Sequence, residues 1–281
     1  MSVEIPEGLI DSVRARKCIL FVGSGLSSLA GYPTWPQLID RLVAKAKRSP
    51  NARLEGLEAM ETRRDYLMLA EFARDALGAW DYTQLLKKEL DRPIPPSPVH
   101  RRIAGTDYRG IITTNYDRLL ETTITQVRNW APNTFNTNGI EAMGEALFNP
   151  DLFIYKMHGD ILSPASIVLS TRDYDRMILR NPHVRSFLFG AVLNHTLLFV
   201  GYSLSDPDFN LLLRELTLMF ENYVPAHYAL LPNPGAFERD HLLARMNIHV
   251  IPYHPADDHR EVTEVLRQLH DLAPAPLAIA A

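Results

Sequence analysis

The chain is poor in the residues that would make it a disulfide scaffold, a zinc protein, a nucleic-acid binder or a membrane protein. Cys18 is its only cysteine, which excludes an internal disulfide and any multi-cysteine zinc site and fits a reducing compartment. Its place at the head of an apolar run reads as a small core residue rather than a nucleophile. No charge sign dominates: 29 Lys and Arg face 33 Asp and Glu, a formal net charge of −4, so no direct nucleic-acid binding is expected. Basic clusters such as Arg41-Lys45-Lys47-Arg48 and Arg101-Arg102 read as solvated helix faces. No apolar run of about 18 residues occurs, and charges run through Met1 to Arg16, which predicts neither a membrane span nor a secretory leader. The expectation is a soluble, cytoplasmic protein. A Gly-Lys-Ser/Thr ending is also absent from the glycine-rich turn at Gly23, which excludes a P-loop.

What is present is an alternation of apolar strands and amphipathic helices. With 281 residues and 46% hydrophobic content, the chain can bury a sizeable core. Cys18-Ile19-Leu20-Phe21-Val22 is apolar without a break, the pattern of a strand buried on both faces of a parallel sheet. Gly23 and Gly25 then let the backbone turn and approach a ligand closely. Ser24, Ser27 and Ser28 are placed to cap the short helix that follows. An amphipathic helix is expected over Pro6 to Arg16. Helical patterns over Trp35–Ala46, Leu54–Leu77 and Tyr82–Leu90 make an inserted lobe, about 36–92, closed by the stiff connector Pro93 to Pro98.

Strands resume at Gly110–Thr114, with a helix from about Asp117, and at Leu152–Met157, with a short strand at Ile167–Leu169. Asn129 to Pro150 reads as an irregular surface excursion. Helices over Thr171–Leu179 and Pro182–Leu193 precede the apolar strand Thr196–Val200 and a helix over 208–221. Ala226–Leu231, Phe237–Ala244, Asn247–Pro252 and His259–Leu272 complete strand, helix, strand, helix, before a frayed tail at 273–281. This alternation predicts an α/β fold, an open, mostly parallel sheet with helices on both faces, in one domain spanning 1–272.

Ligands of open α/β sheets bind outside the carboxyl ends of the strands. Four apolar strands end in polar or glycine-rich sequence: Gly23-Ser24-Gly25, Thr113-Thr114-Asn115-Tyr116-Asp117, His158-Gly159-Asp160 and Gly201-Tyr202-Ser203-Leu204-Ser205-Asp206. If these strands are neighbours, the four ends meet in one crevice. Taken as residues alone, several readings stay open. Asn115 is either a structural turn residue or a catalytic one, and His158 either a hydrogen-bonded turn residue or a general base. Asp117 is either a helix cap or a ligand contact. Trp35, beside the Pro33 stop, reads as a packing residue.

The ordered set Gly-Ser-Gly-x-Ser-x-x-Ala-Gly-x-Pro-x-Trp at 23–35, Thr-Thr-Asn-Tyr-Asp at 113–117, Lys-x-His-Gly-Asp at 156–160 and Val-Gly-Tyr-Ser-Leu-Ser-Asp at 200–206 resembles the SIR2-like family. It is most similar to the bacterial branch found in antiviral defence. The resemblance spans about Cys18 to Leu213 and implies a Rossmann-like sheet. Two features of sirtuin deacylases are missing: the four-cysteine zinc module, and the glutamine of the Gln-Asn-x-Asp loop, where Thr114 stands. Both departures agree with the defence branch, whose members are NAD+ glycohydrolases.

The resemblance implies NAD+ as substrate, no metal, and catalytic places for Asn115 and His158. It puts Gly23, Ser24 and Gly25 along the pyrophosphate, Ser27 among the NAD+ contacts, Asp117 at the nicotinamide carboxamide, and Gly201 and Ser203 near the adenosine ribose. Asp206 fits the pattern as either a ligand contact or an N-cap. Control is expected from homo-oligomerisation or a separate protein, such as a HerA-type ATPase or a short Argonaute. The competing expectations are an NAD+-dependent protein deacylase and a non-catalytic NAD+ or ADP-ribose sensor.

Overall fold

The computed structural model describes residues 3–204, 207–220 and 223–276. Strand β1 (Cys18–Val22) is buried along its whole length and occupies the middle of a seven-stranded sheet. The others are β2 (Gly110–Thr113), β3 (Asn133–Asn136), β4 (Phe153–Lys156), β5 (Thr196–Val200), β6 (His227–Pro232) and β7 (Ile248–Tyr253). Their order across the sheet is β3-β4-β2-β1-β5-β6-β7, and every pairing is parallel. The chain leaves β1 toward β2 on one side and returns to β5 on the other, which creates a switch point at the carboxyl end of β1.

The period-2 alternation of a strand sorts the core into two layers. Ile19 and Phe21 join Phe199 and Tyr155 on one face. Cys18, Leu20 and Val22 join Leu198, Val200 and Ile111 on the other. Helices α1 (Glu7–Arg14), α6 (Pro98–Gly105), α7 (Leu119–Arg128) and α13 (Ala256–Leu272) cover the second face. Helices α8 (Ile140–Phe148), α9 (Thr171–Arg180), α10 (Pro182–Asn194), α11 (Pro207–Phe220) and α12 (Ala236–Met246) cover the first. Among the described residues no helix is long and apolar enough to cross a membrane.

The inserted lobe contains α3 (Trp35–Ala46), α4 (Leu57–Arg63) and α5 (Tyr66–Leu90). Thr34 opens α3 with a reciprocal capping box to Gln37, which fixes where that helix starts. Leu38, Ile39 and Leu42 meet Leu69, Ala70 and Ala73, and this core also takes in Tyr116, Leu119, Ile161 and Leu169. The lobe therefore sits on the segments that follow β2 and β4.

Three expectations are corrected. Asn129 to Pro150 is not irregular: it holds the edge strand β3 and helix α8. In β3 only Phe135 is buried, and a polar edge strand paired on one side carries little pattern of its own. Ile167–Leu169 is buried but forms no strand; it leaves a short 3-10 turn at Pro164–Ser166. Leu54–Leu77 is not one helix: it divides at Arg64, whose φ is +54°, into α4 and the first part of α5, while the break expected after Leu77 falls at Gly78, which leaves helical geometry (φ +74°, ψ +163°).

Candidate active site

A cavity of about 590 Å³ lies at the carboxyl ends of β1, β2, β4 and β5, a volume in the range of nucleotide-sized ligands. Ser24, Gly25 and Ser27 line it from the turn after β1, Thr114 to Asp117 from β2, His158 from β4, and Gly201 to Ser203 from β5. The lobe adds Trp35 and Tyr66, and α9 adds Tyr174. The four strand ends thus share one crevice. Of the residues expected there, Gly23 sits behind the lining and Asp206 lies outside the described residues.

The glycines on the two sides of the switch point mesh with each other. Gly23 N donates to Val200 O (3.1 Å) and Gly25 N to Gly201 O (2.9 Å). A Cβ on Gly23 would stand 2.5 Å from Gly201 O, and one on Gly201, whose φ is +62°, would stand 2.3 Å from Leu26 N. Their lack of side chains therefore brings two loops together directly beneath the cavity. The serines do not cap the short helix α2 (Ser24–Ser28); its N-cap is Gly23, with no side-chain bond. Ser24 Oγ instead accepts from Trp35 N (3.2 Å), and Ser28 Oγ donates to Gly25 O (2.8 Å).

Asn115 is buried, and its amide is fixed. Its Nδ2 donates to Gly23 O (3.0 Å) and Ser27 Oγ (2.8 Å), and its own N–H is held by Thr113 Oγ1 (3.0 Å). Gly23 O can only accept, so the amide orientation is determined by chemistry. Asn115 Oδ1 is buried with no protein partner. A buried acceptor left unbonded is costly, and this one belongs to a residue that lines the cavity. Ser27, expected among the NAD+ contacts, lines the cavity and also anchors Asn115.

Asp117 Oδ1 accepts from Leu119 N (3.0 Å), the first residue of α7, although the N-cap position itself is Arg118; Asp117 also lines the cavity. Behind it, His100 is fully buried with Nδ1 on Ser97 Oγ (2.8 Å). Burial pushes His100 down to about 4, against the pull of the Asp117 charge. His158 is also buried, its ring edge-on to Tyr174 at 5.1 Å and its Nε2 3.3 Å from Tyr174 Oη. The turn that presents it needs Gly159: φ is +93°, and a Cβ there would meet Ser166 O at 2.2 Å.

Trp35 packs as expected but does more. It packs edge-on against Tyr66 (centroids 5.3 Å apart) and also lines the cavity. Tyr174 was given no role by its sequence, although a tyrosine on the apolar side of a helix opening next to the His-Gly-Asp loop was a usable signal.

A parallel sheet with a crevice at its switch point, glycine-meshed loops and a pinned asparagine facing the same cavity as a histidine defines a nucleotide-binding α/β domain. The family model for the SIR2-like domain matches residues 109–251, and the chain belongs to that family. It is 26% identical over 278 residues to a protein named NAD(+) hydrolase ThsA from Bacillus cereus strain MSX-D12, covering 92% of this chain and 55% of that one. A protein of the same name from Enterococcus faecium is 24% identical over 92% of this chain and 56% of its own length. Defense-associated sirtuin 2 of Bacillus subtilis is 24% identical over 86% of this chain and 23% of its own. The chain thus spans little more than half the length of the two hydrolases, and less than a quarter of the third protein.

Proposed function

We propose that this chain is an NAD+ glycohydrolase that cleaves NAD+ to nicotinamide and ADP-ribose and serves in defence against phage. The single observation that carries the reading is Asn115: an amide locked from behind, with a buried, unpartnered Oδ1 in a cavity shared with His158. The names of the relatives support the same substrate.

Hydrolysis breaks the bond between ribose C1′ and the nicotinamide nitrogen. Nicotinamide is cationic while attached and leaves neutral with the bonding pair, so its departure needs no acid and leaves an oxocarbenium-like sugar. Asn115 Oδ1 accepts a hydrogen bond from the attacking water or a ribose hydroxyl, which is catalysis by positioning. His158 takes the proton that the water loses as its oxygen bonds to C1′. Asp117 contacts the carboxamide with the carboxylate oxygen not engaged by Leu119. Ser24 and Gly25 run along the pyrophosphate, and Gly201 and Ser203 meet the adenosine ribose. Residues 1–272 act as one catalytic unit.

An enzyme that consumes NAD+ in the cytoplasm is toxic to its own cell, so it must be held off and then released. Assembly into a homo-oligomer or engagement by a separate protein, of the HerA-type ATPase or short Argonaute kind, supplies that control. The test is product analysis after incubation with NAD+, for the chain alone and with co-purifying partners. Nicotinamide and ADP-ribose are expected, and Asn115→Ala and His158→Ala should each cut the rate by about 100-fold or more while the protein stays folded. Cleavage only with an acylated peptide would establish a deacylase instead. Binding of NAD+ without turnover in every assembled state would establish a sensor.

A further inference from the structure

The last residue of β4 is a lysine in an otherwise apolar buried strand. Lys156 is 1% exposed. Its Nζ lies 2.9 Å from Glu121 Oε1 on α7 and 2.9 Å from Asp160 Oδ2. It also lies 2.6 Å from Asp117 O and 3.2 Å from Tyr116 O. Four acceptors from three segments converge on one ammonium, a compact charge with three donors that can serve such a cluster. Burial works against the lysine's charge, but Glu121 and Asp160 outweigh it and hold the group protonated. Burial likewise raises Glu121, opposed by Lys156.

The segments joined this way are those that carry the proposed chemistry. Tyr116 and Asp117 follow Asn115 directly, and Lys156 and Asp160 flank His158 on either side. One backbone bond makes a parallel tie, Ile161 N donating to Tyr116 O at 3.1 Å. Lys156 does not itself line the cavity, which leaves it no direct part in the reaction. A buried ion pair adds little net stability over an apolar pair of the same shape. The value of this cluster is therefore in what it fixes.

We propose that Lys156 is a positioning residue that clamps the Asn115–Asp117 turn to the His158–Asp160 loop and so sets Asn115 and His158 against the same point of the substrate. This rests on the hydrolase reading above, and its test is chosen to fail separately from it.

Lys156→Met combined with Glu121→Gln removes the ammonium together with its most buried partner. In NAD+ hydrolysis, kcat should fall by about 100-fold, as a small misplacement of reacting groups does, while KM stays within about threefold. Amide hydrogen exchange, followed by mass spectrometry, should rise in residues 114–118 and 158–161 together. Wild-type kcat in the folded double variant overturns the proposal, as does unchanged exchange in either loop. If the wild-type protein leaves NAD+ intact, the hydrolase reading falls, and exchange alone still decides the clamp. Should the double variant not fold, Lys156→Arg keeps the charge, but its planar fork cannot aim at four converging acceptors. That variant is expected to fold with raised exchange in both loops and, where the wild type is active, reduced kcat; wild-type exchange in it overturns the clamp.

Discussion

The two walls of the cavity are built differently. The wall made by the strand ends is held from inside, by meshed glycines, by the buried bonds that pin Asn115 and by the cluster around the buried Lys156. The wall made by the lobe is aromatic, with Trp35 and Tyr66, and its outer fastenings are ion pairs with at least one half-buried or exposed partner. Arg74–Asp173 (2.7 Å) and Arg172–Glu71 (2.6 Å) tie α5 to α9, while Lys47–Glu61 and Arg41–Glu89 tie the lobe to itself. Such pairs contribute little each and weaken with salt. Asn115 and His158, the residues with proposed catalytic roles, both sit on the stiff wall.

The comparison breaks most severely at Gly201. Gly201→Ala forces a side chain into the left-handed region and against Leu26 N, and should cost roughly 3 kcal/mol or more from strain plus overpacking. Thermal unfolding checks this; a midpoint within a degree or two of wild type would show that the loops slide apart cheaply.

A graded probe is acid. His100 and His227 are buried neutral, pushed by burial to about 4 and about 3. The unfolded chain binds their protons near pH 6.5 and the folded chain does not, so stability is full above about 6.5 and falls as pH drops toward 4. Each contributes a slope of about 1.4 kcal/mol per pH unit. Denaturant unfolding at several pH values should show this fall, and His100→Gln should shallow it.

The smallest effect is expected on the soft wall. Arg74→Ala should cost about 1 kcal/mol or less, because Asp173 keeps the Ser170 N–H and hydroxyl. About 1 M salt should reproduce most of that loss in the unmodified protein. An Arg74→Ala penalty as large as that of Gly201→Ala would erase the distinction between the walls.

Much of the stiff wall was legible in the sequence. An unbroken apolar run such as Cys18–Val22 belongs in the middle of a parallel sheet, and four such runs with polar ends imply a shared crevice. What pattern does not reveal is how loops distant in sequence fit together. Gly23 and Gly25 read as room for a ligand, yet that room is taken first by the Gly201 loop. Ser27 read as a ligand contact and anchors Asn115. Lys156 did carry a signal, a charge inside an apolar strand, but its partner Glu121 lies in helix α7, 35 residues earlier. The edge strand β3 was hidden because one buried phenylalanine in four residues has no period to detect.

The pairing of β1 with β5 also has a consequence in time. β1 leaves the ribosome well before β5, one of its two neighbours, has been made. Contacts so distant in sequence form slowly, and the floor beneath Asn115 stays open until Gly201 arrives. A nascent chain that already holds Asn115 and His158 still lacks the surface that orders them. For a domain whose proposed activity harms its own cell, this closure delays competence until β5 and the loop after it have been made.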